Sequence, residues 1–418
     1  MRVRQDIAAE ENIKARRPGV RNVLIITAAN FMAVACMGLS FGFLGPSLPS
    51  LREYLDLDLG KAGLFTAGIQ FGYGLMGTIG GILSDVFPGG RVLLLGCLCL
   101  GCGAIFFGLM PSYGLNLGLV TVIGAGGGLI LSSSHTILVG LHPARKGSIL
   151  NVHHIFSATG SLIAPLIIGA LIAGGIKWQY AYETLGFLAV ALAIFFAAVK
   201  TPEAEGRPRF RIGLVGVLAR QRNFLLLVLV DFLMMGTQFS VIYLSVTFLK
   251  EAKGFPVVAA SAVLSAFFVL MILGRLSCGW AARRASNSGI LLILLPATAA
   301  VTCLAWRGDG WISAAGVMLT GLACSGIFPC LLALAGGIYR DAAGTSMGFI
   351  GMMSGFGGMF FCWLTAVVSQ KTDAAFGFIV PVLAAALAAA LFAIQYRSLM
   401  SAETGTPVQL APGTGKAG

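Results

Sequence analysis

Twelve times along this chain of 418 residues, an apolar stretch of 18 to 27 residues ends in a short polar or charged break. The stretches fall at 22–45, 62–84, 92–110, 117–140, 148–174, 182–199, 224–249, 257–281, 288–306, 312–337, 344–369 and 375–396. A helix rises about 1.5 Å per residue, so about 20 apolar residues match the hydrocarbon core of a bilayer. A soluble fold could not bury so many such segments. Hydrophobic residues make up 57% of the chain and charged residues 11%, with a mean hydropathy of +0.90, whereas soluble domains carry about 25% charged residues. The sequence therefore predicts an all-α membrane protein with twelve transmembrane helices in two six-helix, pseudo-symmetric halves. The first stretch is long for the core of a signal peptide and no small-residue cleavage pattern follows it, so it is expected to stay as a span.

The formal charge is +12, but the charges sit in the breaks, where they report orientation rather than a phosphate-binding surface. With the amino terminus in the cytoplasm, 21 of the 28 lysines and arginines fall on the inner side. The expectation is a multi-pass protein of the cell inner (plasma) membrane with both termini cytoplasmic and no nucleic-acid partner. The longest internal break is polar, basic and proline-containing. It divides the chain into a cytoplasmic amino-terminal segment (1–21), a first six-helix bundle (22–199), a cytoplasmic linker (200–223), a second six-helix bundle (224–396) and a cytoplasmic tail (397–418). Related halves of this kind recur in secondary transporters, with the solute site near the midplane between them. A weak internal echo agrees, since GGILSDVFPGGR follows the second span and GRLSCGWAARR the eighth.

Catalytic signatures are lacking. The late Gly415-Lys416 step is followed by Ala417 without the upstream glycines of a P-loop, and neither an HExxH helix nor a nucleophile elbow occurs. The chain reads as no enzyme, uses no ATP directly, and calls for no cofactor. All nine cysteines lie within apolar runs, where they act as small packing residues, and no metal is expected.

Polar residues inside the spans are the candidate site. Asp231 is the one acid set deep in an apolar run, LLLVLVDFLMMG, so it must face a cavity, find a partner or carry a proton. Gln238 returns to nearly the same helical face seven residues later. In the fifth span Asn151, His154, Ala158 and Ser161 share a sector while His153 looks elsewhere, and either histidine could relay a proton. Asn30, Gln70, Tyr73, Ser132 to His135, Tyr243 and Ser354 add hydrogen-bonding groups near mid-depth. Taken singly, such groups are more often glue between helices than ligands. The set suggests a neutral cavity, because Arg275 is expected at the cytoplasmic end of its span. An anionic solute would require a cation at mid-depth.

These residues resemble the major facilitator superfamily along nearly the whole chain. Gly81-Ile82-Leu83-Ser84-Asp85, with Arg91 after a short turn, is similar to the superfamily's loop between spans two and three. Val86 and Pro88 depart from that pattern. The resemblance implies that Asp85 and Arg91 gate the inward side. The run Leu150-Asn151-Val152-His153-His154-Ile155-Phe156, continuing to Pro165, looks like the fifth span of the fucose and related sugar:proton symporters, and Gly274-Arg275 fits that group, with Arg275 a gating residue. Gly45 stands where that group's proton-binding acid is expected, which leaves Asp231, His153 or His154 to couple protons. What is implied is a monomer working in membrane lipid, with a sugar-like polar solute and a proton as partners, by alternating access. A rival reading comes from GSLIAPLIIG (160–169), which partly resembles the glycine-proline motif of drug:proton antiporters, so efflux of lipophilic compounds is an alternative. An organic-anion transporter and, remotely, a non-transporting receptor or enzyme are others.

Overall fold

The computed structural model describes residues 20–201 and 212–405. The amino-terminal segment through residue 19, residues 202–211 of the expected linker and the tail from 406 lie outside the described residues. Twelve long helices account for the fold. The first half holds α1 (Val20–Leu55), α2 (Leu59–Val86), α3 (Gly89–Phe106), α4 (Tyr113–Leu141), α5 (Lys146–Ala173) and α6 (Gln179–Ala198). After a short helix at Ile212–Leu218, the second half holds α7 (Arg222–Lys253), α8 (Val257–Ala281), α9 (Asn287–Arg307), α10 (Gly310–Ile338), α11 (Ala343–Lys371) and α12 (Ile379–Thr404). Eleven of these are long and apolar enough to cross a membrane. The exception, α2, is 28 residues long and rich in glycine, which lowers its hydropathy, and it sits between α4 and α11.

Each half packs mainly within itself, and the principal joints between halves are α2 with α11, α5 with α8 and α1 with α7. Exchanging each helix for the one six places along turns the first joint into the second and leaves the third unchanged. The interface is therefore that of a pseudo-two-fold bundle. Large apolar side chains cover the outside, among them Ile194, Ile293 and Ile394 at 66%, 70% and 75% exposure, as lipid-facing helices require.

Two proline effects depart from the sequence reading. The first span was expected to stop near residue 45, yet α1 runs through Pro46 and Pro49 to Leu55. Ser47 donates its hydroxyl to the Phe43 carbonyl at 2.8 Å and lies 3.1 Å from the Tyr182 hydroxyl, and such side-chain bonds let membrane helices carry proline. In α10 the effect is the reverse. Pro329 has no N–H to return to the Ser325 carbonyl, and the helix breaks between Cys324 and Ile327.

The close joint between α2 and α11 depends on glycine. A Cβ at Gly74 would stand 2.8 Å from the Gly355 Cα, and one at Gly355 would collide with Gly74 in return. At the joint of α1 and α7, a Cβ at Gly45 would stand 2.7 Å from the Ile242 carbonyl oxygen.

Candidate functional site

The halves are latched at one end. At the face reached by the last turns of α1 and α7, Arg52 pairs with Glu251, and Lys250 lies 3.5 Å from Glu53. Arg52-Glu53 and Lys250-Glu251 carry the same basic-acidic order, so the pseudo-two-fold exchanges one bridge for the other. At the same face the Gly60 N–H donates to Gln370 Oε1 at 2.8 Å, tying α2 to α11. The sequence reading missed this latch, although the repeated Arg-Glu and Lys-Glu steps at the ends of spans one and seven were a signal for it.

The opposite face carries the start of α1 and the end of α12, and among the described residues no ion pair bridges the halves there. Asp85 is half-buried, Arg91 is exposed, and neither forms an ion pair among the described residues. At this face His142, just beyond α4, lies 2.8 Å from the Thr27 hydroxyl. Burial, and then nearby Arg145, push the His142 imidazole below its ordinary value. The arrangement is a bundle sealed at the face without termini.

Within the bundle several buried polar atoms lack hydrogen-bond partners. Tyr243 Oη, both amide atoms of Gln70, Asn30 Nδ2, both ring nitrogens of His153, Asp231 Oδ1 and Arg275 Nε are buried and make no hydrogen bond. More than about 90% of buried polar groups in proteins are satisfied, so atoms such as these are candidates for bonding to solute, water or protons. Gln70 and Tyr243 are fully buried, and Gln238 is 9% exposed. Tyr73 is half-buried, with its ring edge-on to Phe41 at 5.0 Å. Asn30 accepts a short hydrogen bond from Ser134. The side chain of Asn151 lies outside the described residues.

Asp231 and Ser354 come together, as neither position alone could reveal. Ser354 on α11 donates to Asp231 Oδ2 at 2.5 Å, and the carboxyl is fully buried. No cation pairs with Asp231 among the described residues.

Arg275 stands near the end of α8. It lies six residues before the end of α8, about 9 Å along the axis, and its guanidinium lies within electrostatic reach of Tyr73, Cys324 and His154. Tyr73 is at the middle of α2. A Cβ at Gly274 would press on Ser325, at 2.9 Å from its Cβ, so the interrupted segment lies directly against α8 beside Arg275. Pro329, which interrupts α10, was the sequence signal for this and was not read.

The histidines also assemble. His135 on α4 and His153 and His154 on α5 bring their ligating nitrogens within 4.8 Å of one another. His135 lies six residues before the end of α4, and His153 lies seven after the start of α5. A short 3-10 turn joins these antiparallel helices, so equal distances from the turn give equal depth.

Comparison with known proteins places this geometry. The profile of the Major Facilitator Superfamily matches residues 31–362. Among curated relatives, a probable sulfoacetate transporter of Cupriavidus necator is 25% identical over 150 residues, covering 36% of this chain and 35% of that protein. An enterobactin exporter of Escherichia coli is 30% identical over 192 residues, covering 43% of this chain and 45% of that protein. The chain thus matches less than half the length of each of these relatives. A bacterial homologue of the human lysosomal transporter Spinster, solved in an inward-facing and occupied conformation, superposes with a TM-score of 0.75 at 14% identity, over 92% of this chain and 98% of that one. The Escherichia coli fucose:proton symporter superposes with a TM-score of 0.62 at 17% identity, over 90% and 99%. At these identities the structural likeness is one of fold.

Proposed function

Because the chain belongs to the Major Facilitator Superfamily, we propose that it is a secondary transporter for a small organic anion, with Arg275 as the charge that receives the solute. It is a transporter and not an enzyme. The observation that carries the anion reading is the interior guanidinium of Arg275, which has a buried, unpartnered Nε and no carboxylate paired with it among the described residues. An uncompensated charge inside a membrane protein is costly and is kept for a function. Tyr73, Gln70 and Tyr243 supply hydroxyl and amide groups on the latched-face side of that charge. The relative named for sulfoacetate transport, an organic anion, supports the same class.

In this reading the termini are cytoplasmic, and the latch of Arg52, Glu53, Lys250 and Glu251 closes the outer gate while the cavity faces inward. Asp85 and Arg91 form the inner gate, apart in this state. Asp231 with Ser354 couples protons. A carboxyl sealed from water without a cation can stay neutral while sealed and ionise when the cavity reaches it, which links its proton to the cycle. The sugar-symporter position at Gly45 cannot serve, because no side chain fits against the α7 backbone in this state. A monomer in lipid suffices.

A neutral, sugar-like solute is the second reading, favoured by the Gln70 amide with both atoms idle. A thermal-shift screen of purified protein against sulfonates, mono- and dicarboxylates, sugars and lipophilic cations separates the two, since a ligand of the folded state stabilises it. The anion reading expects stabilisation by anions that Arg275→Gln weakens by about 1.5–3 kcal/mol, or roughly 10- to 150-fold in affinity, with partial retention in Arg275→Lys. Stabilisation by sugars alone, unchanged in Arg275→Gln, would refute it.

A further inference from the structure

Three of the chain's four histidines meet in the first half, and nothing in the transport reading above needs all three. Their ring centroids lie 4.6 Å apart for His135 and His153, 5.3 Å for His135 and His154, and 5.1 Å for His153 and His154. His153 is fully buried with neither ring nitrogen bonded, while His154 is exposed. A buried imidazole with two idle nitrogens is among the costlier ways to fill an interior. A neighbour that accepts its lone pair removes that cost.

We infer that His135, His153 and His154 form a binding site for a divalent transition-metal ion of the zinc class, open on its fourth side through His154. Imidazole nitrogens suit Zn²⁺, Cu²⁺, Ni²⁺ and Co²⁺, whereas Mg²⁺ and Ca²⁺ demand oxygen ligands. In a tetrahedral site with Zn–N bonds of 2.0–2.1 Å, the nitrogens lie about 3.4 Å apart. The ligating nitrogens already lie within 4.8 Å of one another, so a modest rotation of the side chains would bring them to that spacing. Three protein ligands and one open position are the composition of an exchangeable site rather than a closed structural one. Arg275 lies within electrostatic reach of His154. That places any metal next to the proposed anion position without depending on it.

The test uses full-length, tag-free protein in detergent, stripped with a chelator. Zn²⁺ is titrated by calorimetry without any organic solute, and Co²⁺ by visible absorption, which reports the nitrogen coordination. Expected are one ion per chain, thermal stabilisation that grows with free Zn²⁺, no response to Mg²⁺, and more than tenfold weaker binding in His153→Asn and in His154→Asn. His142→Asn, which removes the remaining histidine, should leave Zn²⁺ affinity unchanged. Metal-free thermal unfolding of each variant checks the fold, and His154→Asn, at an exposed position, decides the matter where His153→Asn does not fold. Absence of Zn²⁺ binding overturns the inference, as does one-to-one binding that persists in His154→Asn. Either result leaves the anion reading intact, since that reading stands or falls on Arg275→Gln without metal.

Discussion

Neutralising one bridge of the latch, Arg52→Ala, should shift the protein away from the state sealed at that face, and the structure sets the size of the shift. The Arg52 and Glu251 side chains are 22% and 34% exposed, and those of Lys250 and Glu53 36% and 75%. Pairs this wet contribute about 0.2–1 kcal/mol each, so both together favour the sealed state by about 0.4–2 kcal/mol. At about 1.4 kcal/mol per tenfold, loss of both bridges changes the population ratio by roughly 2- to 30-fold, and loss of one by up to about 5-fold. Arg52→Glu should exceed Arg52→Ala, because it sets a third carboxylate beside Glu53 and Glu251. The double variant Arg52→Glu with Glu251→Arg should recover much of the shift, because it restores the pair with its sign reversed. The readout is the distance distribution between spin labels at residues 180 and 312, both exposed at the latched face, in a background lacking the exposed Cys102. An unchanged distribution in Arg52→Glu, or a shift that the reversed pair leaves untouched, would show that the latch does not hold this face closed. High salt should mimic part of the effect, since these charges are screened.

Four further outcomes follow from the same geometry. Gly355→Val should lose about 1–3 kcal/mol of stability by overpacking against the Gly74 backbone, whereas Gly81→Ala, with nothing within 4 Å of the added carbon, should leave thermal unfolding unchanged. Ser354→Ala should cost about 1–3 kcal/mol by stranding the Asp231 carboxyl. A double-mutant cycle with Asp231→Asn, read by thermal unfolding and proton uptake, should show coupling between the two. Pro329→Ala should restore a continuous α10, keep the fold and slow transport by moving Cys324 relative to Arg275, which turnover against solute affinity would reveal. Because the folded-state value of His142 is lowered, the unfolded chain binds its proton first. The native state then loses stability as pH falls through about 6.5, the ordinary histidine value, and His142→Gln should flatten that part of a thermal-unfolding profile.

Much of the site was legible as residue types and little of it as partnerships. Asp231 stood out because a lone acid in an apolar run has few explanations, but Ser354 was only one of several polar groups until α11 packed on α7. Arg275 was assigned to a helix end because it lies near one in sequence. Only the packed helices bring it within electrostatic reach of Tyr73 on α2 and of Cys324 at the interruption of α10. His135 could have been joined to His153 by counting outward from the turn between α4 and α5, a step that needed the turn to be short and the helices to be antiparallel neighbours.

By itself the sequence determined the class of fold. Hydrocarbon cannot hydrogen-bond a backbone, so long apolar segments must be helices, and their number and the resemblance of the Gly81–Asp85 turn lead to the two-half bundle. Only the tertiary structure decided which face is sealed, that α1 runs on through two prolines while α10 breaks at one, and which buried polar atoms are left without partners. Those outcomes depend on contacts between residues a hundred or more positions apart, and local periodicity carries no term for them.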